Sequence, residues 1–338
     1  MTNPAFPRRF YSLDALRGLA AFSIVLWHWQ HFFLPFNRQG AALAADRQPL
    51  FEVFYLFYRY GYLAVSLFLC LSGFIFFWLY SQKIHEKAAT LASFSVLRLS
   101  RLYPLHLATL VFVALGQLSY LNITGSYFAF DFNDLYHFSL NVFLASRWGF
   151  EKGFSFNAPV WLVSIQVLMY LVFFFFCRIF YRRPLAIILA VIAGLVVRRF
   201  NFAIGLGLEC FFLGGVVFVA YERIVKSGDA WKVSIWLPLA ACVTWLLTIG
   251  ATNPHYGPAL GELPGIFRKS GDVWPVFVLF PTTILSLALL ETKRGGLGRR
   301  LSFLGDMSYS LYLLHFPLQL TAATAATKLA MTPQLFYS

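Results

Sequence analysis

Charge is scarce in this chain of 338 residues: Asp, Glu, Lys and Arg make up 12% of it, and only 14 residues are acidic. That is too little polar surface to cover a soluble globule of this length, so a protein bathed in water on all sides is excluded. Cysteine is scarce too. Cys70, Cys177, Cys210 and Cys242 have no paired spacing and no metal-type CxxC, which excludes a disulfide framework and leaves no metal site to expect. They read as small apolar fillers. Internal repeats, low-complexity tracts and a soluble appendage are also missing, so residues 1–338 read as a single integral membrane domain.

What is abundant is apolar: 59% hydrophobic residues, 39 Phe and a mean hydropathy of +0.68. A net charge of +13 would suggest nucleic acid in a soluble protein. Here the basic residues fall between apolar runs and read as topology signals, with no nucleic-acid partner expected. Stretches long enough to span lie near 12–34, 61–81, 100–121, 159–181, 185–200, 203–222, 232–250, 273–291 and 302–325, the fifth being short. The expected fold is therefore all-α, a polytopic bundle of nine to ten transmembrane helices in a lipid bilayer. Of the 27 Lys and Arg, sixteen fall on the side of the N-terminus and ten on the other, with Arg17 inside the first span. That places the N-terminus in the cytoplasm, with longer aromatic loops at 35–60, 122–158 and 251–272 outside. The first run superficially resembles a signal peptide, because Ala42, Leu43 and Ala44 follow it. It carries Asp14, Arg17, His28, Gln30 and His31, however, and the small-residue site lies too far beyond it, so it reads as a retained helix.

Within that helix Arg17 and His28 are eleven positions apart. Eleven steps of about 100° make three turns plus about 20°, so the two share one face, roughly 16 Å apart along the axis. Asp14 lies three residues before Arg17, on nearly the same face. Taken singly, an Arg at a helix end is an ordinary snorkelling anchor and a His among aromatics an interfacial hydrogen bonder. Three ionisable groups on one stripe point instead to a polar cavity inside the bundle. Imidazole can take and return a proton near neutral pH, as activation of a hydroxyl requires.

Three further constellations stand out. Arg98 and Arg101, one turn apart at the opening of the third span, suit phosphates gripped by guanidinium forks, and their spacing fits an ordinary positive-inside flank still better. Trp161, Ser164 and Gln166 follow Pro159 into the fourth span, where a buried amide needs partners. Ser308, Tyr312 and His315, with Tyr309 beside them, fall on one face of the last span, either packing helices or lining a polar site. Tyr58, Tyr60, Tyr62, Trp148 and Phe150 on the outer side are either an interfacial belt or a stacking floor for sugars.

The segments YSLDALRGLAAFSIVLWHW, AVSLFLCLSGFIFFW, RLSRLYPLH, NAPVWLVSIQ and LGDMSYSLYLLHFPL, in this order from residue 11 to about 320, together resemble the membrane acyltransferase-3 family of acyl-CoA-dependent O-acyltransferases. The resemblance implies that Arg17 and His28 are essential to transfer and that Arg98 and Arg101 handle the acyl donor. It implies acyl-CoA as the donor substrate, with acetyl-CoA first among candidates and no bound cofactor. The implied acceptor is a sugar hydroxyl of a lipid-linked glycan or extracellular polysaccharide, and polysaccharide-assembly proteins are candidate partners. The expected location is a bacterial inner membrane. Two features depart from the family pattern: Gln166 and Leu162 stand where a W-S-L-S-x-E segment would carry an acid and a serine, and nine spans are readable where about ten are usual. The expected roles are His28 as general base or transient acyl carrier, with Asp14 tied to Arg17. Arg98, Arg101 and Arg17 hold phosphate, while Trp161, Ser164, Gln166, Tyr309, Tyr312 and His315 support the acceptor side. The rival classes are a glycan or lipid flippase, which would show paired broken helices in two related halves, and an inactive family member serving as sensor or assembly partner.

Overall fold

A computed structural model describes residues 6–29, 48–227, 230–253, 265 and 269–331, and among these every regular element is helical. The first helix, α1 (Tyr11–Trp29), starts where two backbone N–H groups meet a carboxylate from far along the chain, as described below. Next come α2 (Phe51–Tyr60) and α3 (Ala64–His85), joined by a short 3-10 turn into one apolar run. Then α4 (Leu91–Thr124) follows, with a capping box between Thr90 and Ser93. Beyond a folded connection containing α5 (Leu135–Val142) lie α6 (Trp161–Ile179), α7 (Pro184–Val197), α8 (Phe202–Ser227) and α9 (Ala230–Thr252). A π-helical stretch at Pro275–Leu279 leads into α10 (Phe280–Arg294), and α11 (Ser302–Lys328) closes the bundle.

Among the described residues, six helical stretches are long and apolar enough to cross a membrane: Phe51–His85, Leu91–Thr124, Ala158–Ile179, Phe202–Ser227, Lys232–Thr252 and Pro275–Arg294. The chain is a multi-pass membrane protein. α1 and α11 are long enough but more polar, because they carry the ionisable stripe. They shield it on each other: the two helices form the most extensive contact of the bundle, shared only by the α3–α8 and α7–α8 pairs. Their approach leaves no room for side chains at the crossing. A Cβ on Gly18 would stand 2.4 Å from the Leu304 Cβ, and one on Gly305 2.4 Å from the Asp14 carbonyl oxygen. Small residues at such crossings let backbones pack closely where lipid supplies no hydrophobic drive between helices.

Around this pair the core is a Phe-rich cluster from α3, α6 and α8, including Phe74, Phe77, Phe173, Phe211, Phe212 and Phe218, all fully buried. α4 lies at the rim and turns Val111, Phe112, Leu115 and Leu118 outward, an apolar face that suits hydrocarbon.

The structure amends several expected boundaries. The third helix begins at Leu91, not near 100, because the Thr90–Ser93 capping box starts it earlier; Arg98 and Arg101 sit two turns inside it. The expected outer loop at 35–60 contains α2 and that at 122–158 contains α5. The end of the first span at 30–34, the loop to residue 47 and most of 251–272 lie outside the described residues.

Candidate functional site

The start of α1 is held by Glu291 of α10, which is 1% exposed. Its carboxylate accepts from the Tyr11 N–H (3.0 Å), the Ser12 N–H (2.8 Å) and the Ser12 hydroxyl (2.5 Å). A buried anion thus satisfies orphan donors at the positive end of the helix dipole. One turn on, Asp14 pairs with Arg9 at 2.6 Å and with Arg17 at 3.0 Å, and Arg9 also reaches Asp306 of α11 at 2.7 Å. Arg17 turns its other donors onto α11: Nε donates to the Ser308 hydroxyl (3.2 Å) and Nη2 to the Gly305 carbonyl (2.9 Å). The expected tie between Asp14 and Arg17 is present, and it orients the guanidinium. Both ion-pair partners of Asp14 are arginines, and it sits in the first turn of α1.

Arg98 lies across the same end of the bundle. It donates to the Tyr80 hydroxyl, with its guanidinium 4.6 Å from the Tyr80 ring centroid and 5.3 Å from that of Phe76. Tyr170 of α6 is within electrostatic reach of both Arg98 and Arg17. Arg98 and Arg101 are themselves close enough to repel. Neither forms an ion pair with a carboxylate among the described residues. This end therefore carries a cluster of cations without equal counter-charge, held partly by aromatic faces. The two arginines differ in exposure: Arg98 is half-buried against aromatic rings while Arg101 is exposed.

At the other end of α1, His28 stacks against His315 of α11, ring centroids 4.9 Å apart and tilted by 36°. The Gln319 side chain donates to the His28 carbonyl at 2.8 Å, locking the two helices together at this level. His315 is buried, and its Nδ1 stands 2.6 Å from the Tyr312 carbonyl oxygen. A carbonyl can only accept, so Nδ1 is the donor in this contact, which leaves Nε2 as the ring's other nitrogen. That Nε2 is buried and makes no hydrogen bond with a described residue.

His28 lines a cavity of about 240 Å³, and His315 packs against His28 without lining it. His28, Tyr312 and Gln319 line one side, and Trp27, Tyr62 and Trp161 provide aromatic walls. Arg147, Arg198 and Asp272 are its charged lining residues. The remaining expected support residues separate into two groups. Trp161 and Tyr312 reach the cavity, and Tyr312 also donates to the Pro159 carbonyl where α6 begins. Ser164 is turned away, accepting from the Arg147 N–H while its carbonyl accepts from the Trp148 indole. Tyr309 donates to the Leu102 carbonyl and so ties α11 to α4. Gln166 is buried with neither amide atom in a well-formed hydrogen bond, and Tyr170 one turn on is its polar neighbour.

Sequence reasoning passed over Glu291, Gln319 and the Arg198–Glu209–Asp272 group. Glu209 did carry a signal: a carboxylate inside the run FAIGLGLECFFLGG is costly in a membrane without a partner.

The geometry defines a membrane-embedded helical bundle with a cationic cluster at one end of a polar helix pair and a histidine pair under a cavity at the other. The chain matches the acyltransferase-3 family, described as an acyltransferase domain, over residues 10–337; it belongs to that family. It is also similar to Protein 2 in picA locus of Rhizobium radiobacter, 36% identical over 108 residues, which is 32% of this chain. The match covers 46% of that relative's length. No solved structure matches the chain significantly.

Proposed function

We propose that the protein transfers an acyl group, acetyl from acetyl-CoA, across a bacterial inner membrane to a sugar hydroxyl of a lipid-linked glycan or extracellular polysaccharide. One observation carries this reading. A single helix pair, α1 and α11, holds Arg17 near one end of α1 and, at the other, His28 against His315 beside a cavity that His28 lines. Arg17 and His28 are about 16 Å apart along the helix, a span that a pantetheine arm bridges. The N-terminus faces the cytoplasm in this account, so Arg17, Arg98 and Arg101 receive the phosphates of the donor and the cavity receives the acceptor.

In the direct mechanism His28 removes the proton from the acceptor hydroxyl as its oxygen attacks the thioester carbonyl. The carbon–sulfur bond breaks, and the CoA thiolate leaves and takes the proton. His315 orients the His28 ring by packing its own ring against it. In the alternative the acyl group rests on His28 as an acyl-imidazole and is passed on in a second step, which gives ping-pong kinetics. Gln166, in place of a carboxylate, positions substrate as an amide and takes no proton.

Purified protein in proteoliposomes with radiolabelled acetyl-CoA and candidate glycans tests the proposal. Label on the glycan that disappears in the Arg98→Gln variant at low donor and returns at high donor supports it. A wild-type protein that fails to bind acetyl-CoA in calorimetry contradicts it and favours the flippase.

A further inference from the structure

Besides His28, the cavity is lined by charged groups that the transfer step does not use. Arg198, just after α7, splits its guanidinium: Nη1 reaches the Glu209 carboxylate of α8 at 3.1 Å and Nη2 reaches Asp272 at 3.2 Å. A Cβ on Gly205 would stand 2.2 Å from the Arg198 backbone nitrogen, and one on Gly194 2.3 Å from that of Glu209. The α7–α8 crossing therefore fixes the Arg198–Glu209 pair. Glu209 is 1% exposed and its charge is cancelled by Arg198. Asp272 is different: its side chain is 36% exposed, and it lines the cavity.

Among the described residues, the Asp272 Oδ1 accepts only a long contact from the Tyr62 hydroxyl, 3.4 Å, and Oδ2 only the Arg198 contact. Two carboxylate oxygens offer about four acceptor positions, so Asp272 retains unused acceptor capacity toward the cavity. Arg147, on the other wall, is already paired with Glu151 at 3.3 Å. Counted with their partners Glu151 and Glu209, the two lining arginines thus meet three carboxylates, a net charge of minus one among the described residues, and Asp272 is the carboxylate of the three that lines the cavity. Tyr62 links this carboxylate to the histidine pair, its ring 6.2 Å from that of Trp27, which in turn is 4.8 Å from His28.

We infer that Asp272 is a specificity-determining residue of the acceptor site: it accepts hydrogen bonds from hydroxyls of an uncharged polyhydroxyl ring and, through its surplus charge, rejects acidic rings such as uronates. Arg198 and Tyr62 are positioning residues that aim the carboxylate. This inference rests on the cavity being the acceptor side of the transferase proposed above, and its test does not require transfer. Trp27 and Trp161 line the cavity, so saccharide binding to the detergent-solubilised protein is read by tryptophan fluorescence. The probes are matched pairs of methyl hexopyranosides and methyl hexuronides of gluco, galacto and manno configuration.

The wild type is expected to bind at least one neutral glycoside about tenfold or more tightly than its uronide partner, the scale of one hydrogen bond to a charged group. Asp272→Asn, which keeps size and shape, should weaken that glycoside about tenfold, tighten its uronide and so erase the preference. Tyr62→Phe should produce a smaller change in the same direction. Equal binding of both members of every pair, an unchanged preference in Asp272→Asn, or no binding across the panel overturns the inference. If the neutral preference is present and depends on Asp272 while no acyl transfer occurs, this inference stands and the transferase proposal falls.

Discussion

Glu291 accepts two backbone N–H groups and a hydroxyl at the start of α1 while 1% exposed. Each hydrogen bond to a charged group contributes about 1.5–3 kcal/mol, and the favourable dipole geometry adds up to about 2 kcal/mol when partly buried. These terms overlap, because the backbone donors can find water once the carboxylate is gone. The expected net cost of Glu291→Ala is therefore about 3–5 kcal/mol, and of Glu291→Gln, which keeps one acceptor oxygen, about 2 kcal/mol. The cost falls on α1, the helix that carries both Arg17 and His28, so activity should fall with stability. A double-mutant cycle with Ser12→Ala isolates the contact, since the Ser12 hydroxyl has the shortest bond to the carboxylate. Removing that hydroxyl should cost about 1–2 kcal/mol in the wild type and close to nothing in Glu291→Ala, a coupling of about 1 kcal/mol or more. Reversible denaturation in mixed micelles measures all four corners. Additive effects, within about 0.5 kcal/mol, would refute the capping role.

Three other perturbations test different parts of the structure. Gly305→Val puts a branched side chain where a single Cβ already lies 2.4 Å from the Asp14 carbonyl oxygen; overpacking of about 1–3 kcal/mol or more should lower the melting temperature and separate His28 from His315, and an unchanged Tm would contradict the crossing. Arg98→Gln removes a guanidinium held by Tyr80 and Phe76 and should raise the donor KM about tenfold or more with the acceptor KM unchanged; unaltered acyl-CoA affinity in calorimetry would remove Arg98 from the donor site. The Asp134 carboxylate accepts from the His137 N–H and ring at 2.8 Å each, which holds it below its ordinary value of 3.8. A depressed folded-state value means that its stabilising effect is present above pH 3.8 and is lost as pH falls through the lower value of the folded state. Proteolysis of the connection between α4 and α6 should accelerate below about pH 4 in the wild type and lose that pH dependence in Asp134→Asn.

The apolar runs were legible because a hydrocarbon core leaves one solution for a polar backbone, and each expected span corresponds to a described helix. The stripe of Asp14, Arg17 and His28 was legible from helical periodicity, and it meets the Ser308–His315 face of the last helix directly. The acyltransferase-3 membership was legible in motif order. What periodicity could not show was any pairing between distant segments. Glu291 caps α1 from 279 residues away, and Arg198 meets Asp272 across 74. Neither pair shares a helix, so no spacing rule reaches them. The early start of α4 was within reach, since Thr90 and Ser93 form a capping box of the kind a sequence displays. α2 was hidden because FEVFYLFYRY is short and aromatic, and reads as a loop or belt until Gly61 packs against the Ser23 carbonyl oxygen and joins it to α3.

The central claim is that His28, set against His315 beneath the cavity, performs the proton or acyl transfer. The most direct measurement is acyl transfer from radiolabelled acetyl-CoA to glycan by His28→Ala, with donor affinity measured on the same preparation. Transfer should fall by about 10²–10⁴-fold, the usual contribution of a positioned base, while acetyl-CoA still binds with wild-type affinity. Transfer at a wild-type rate by His28→Ala would contradict the account.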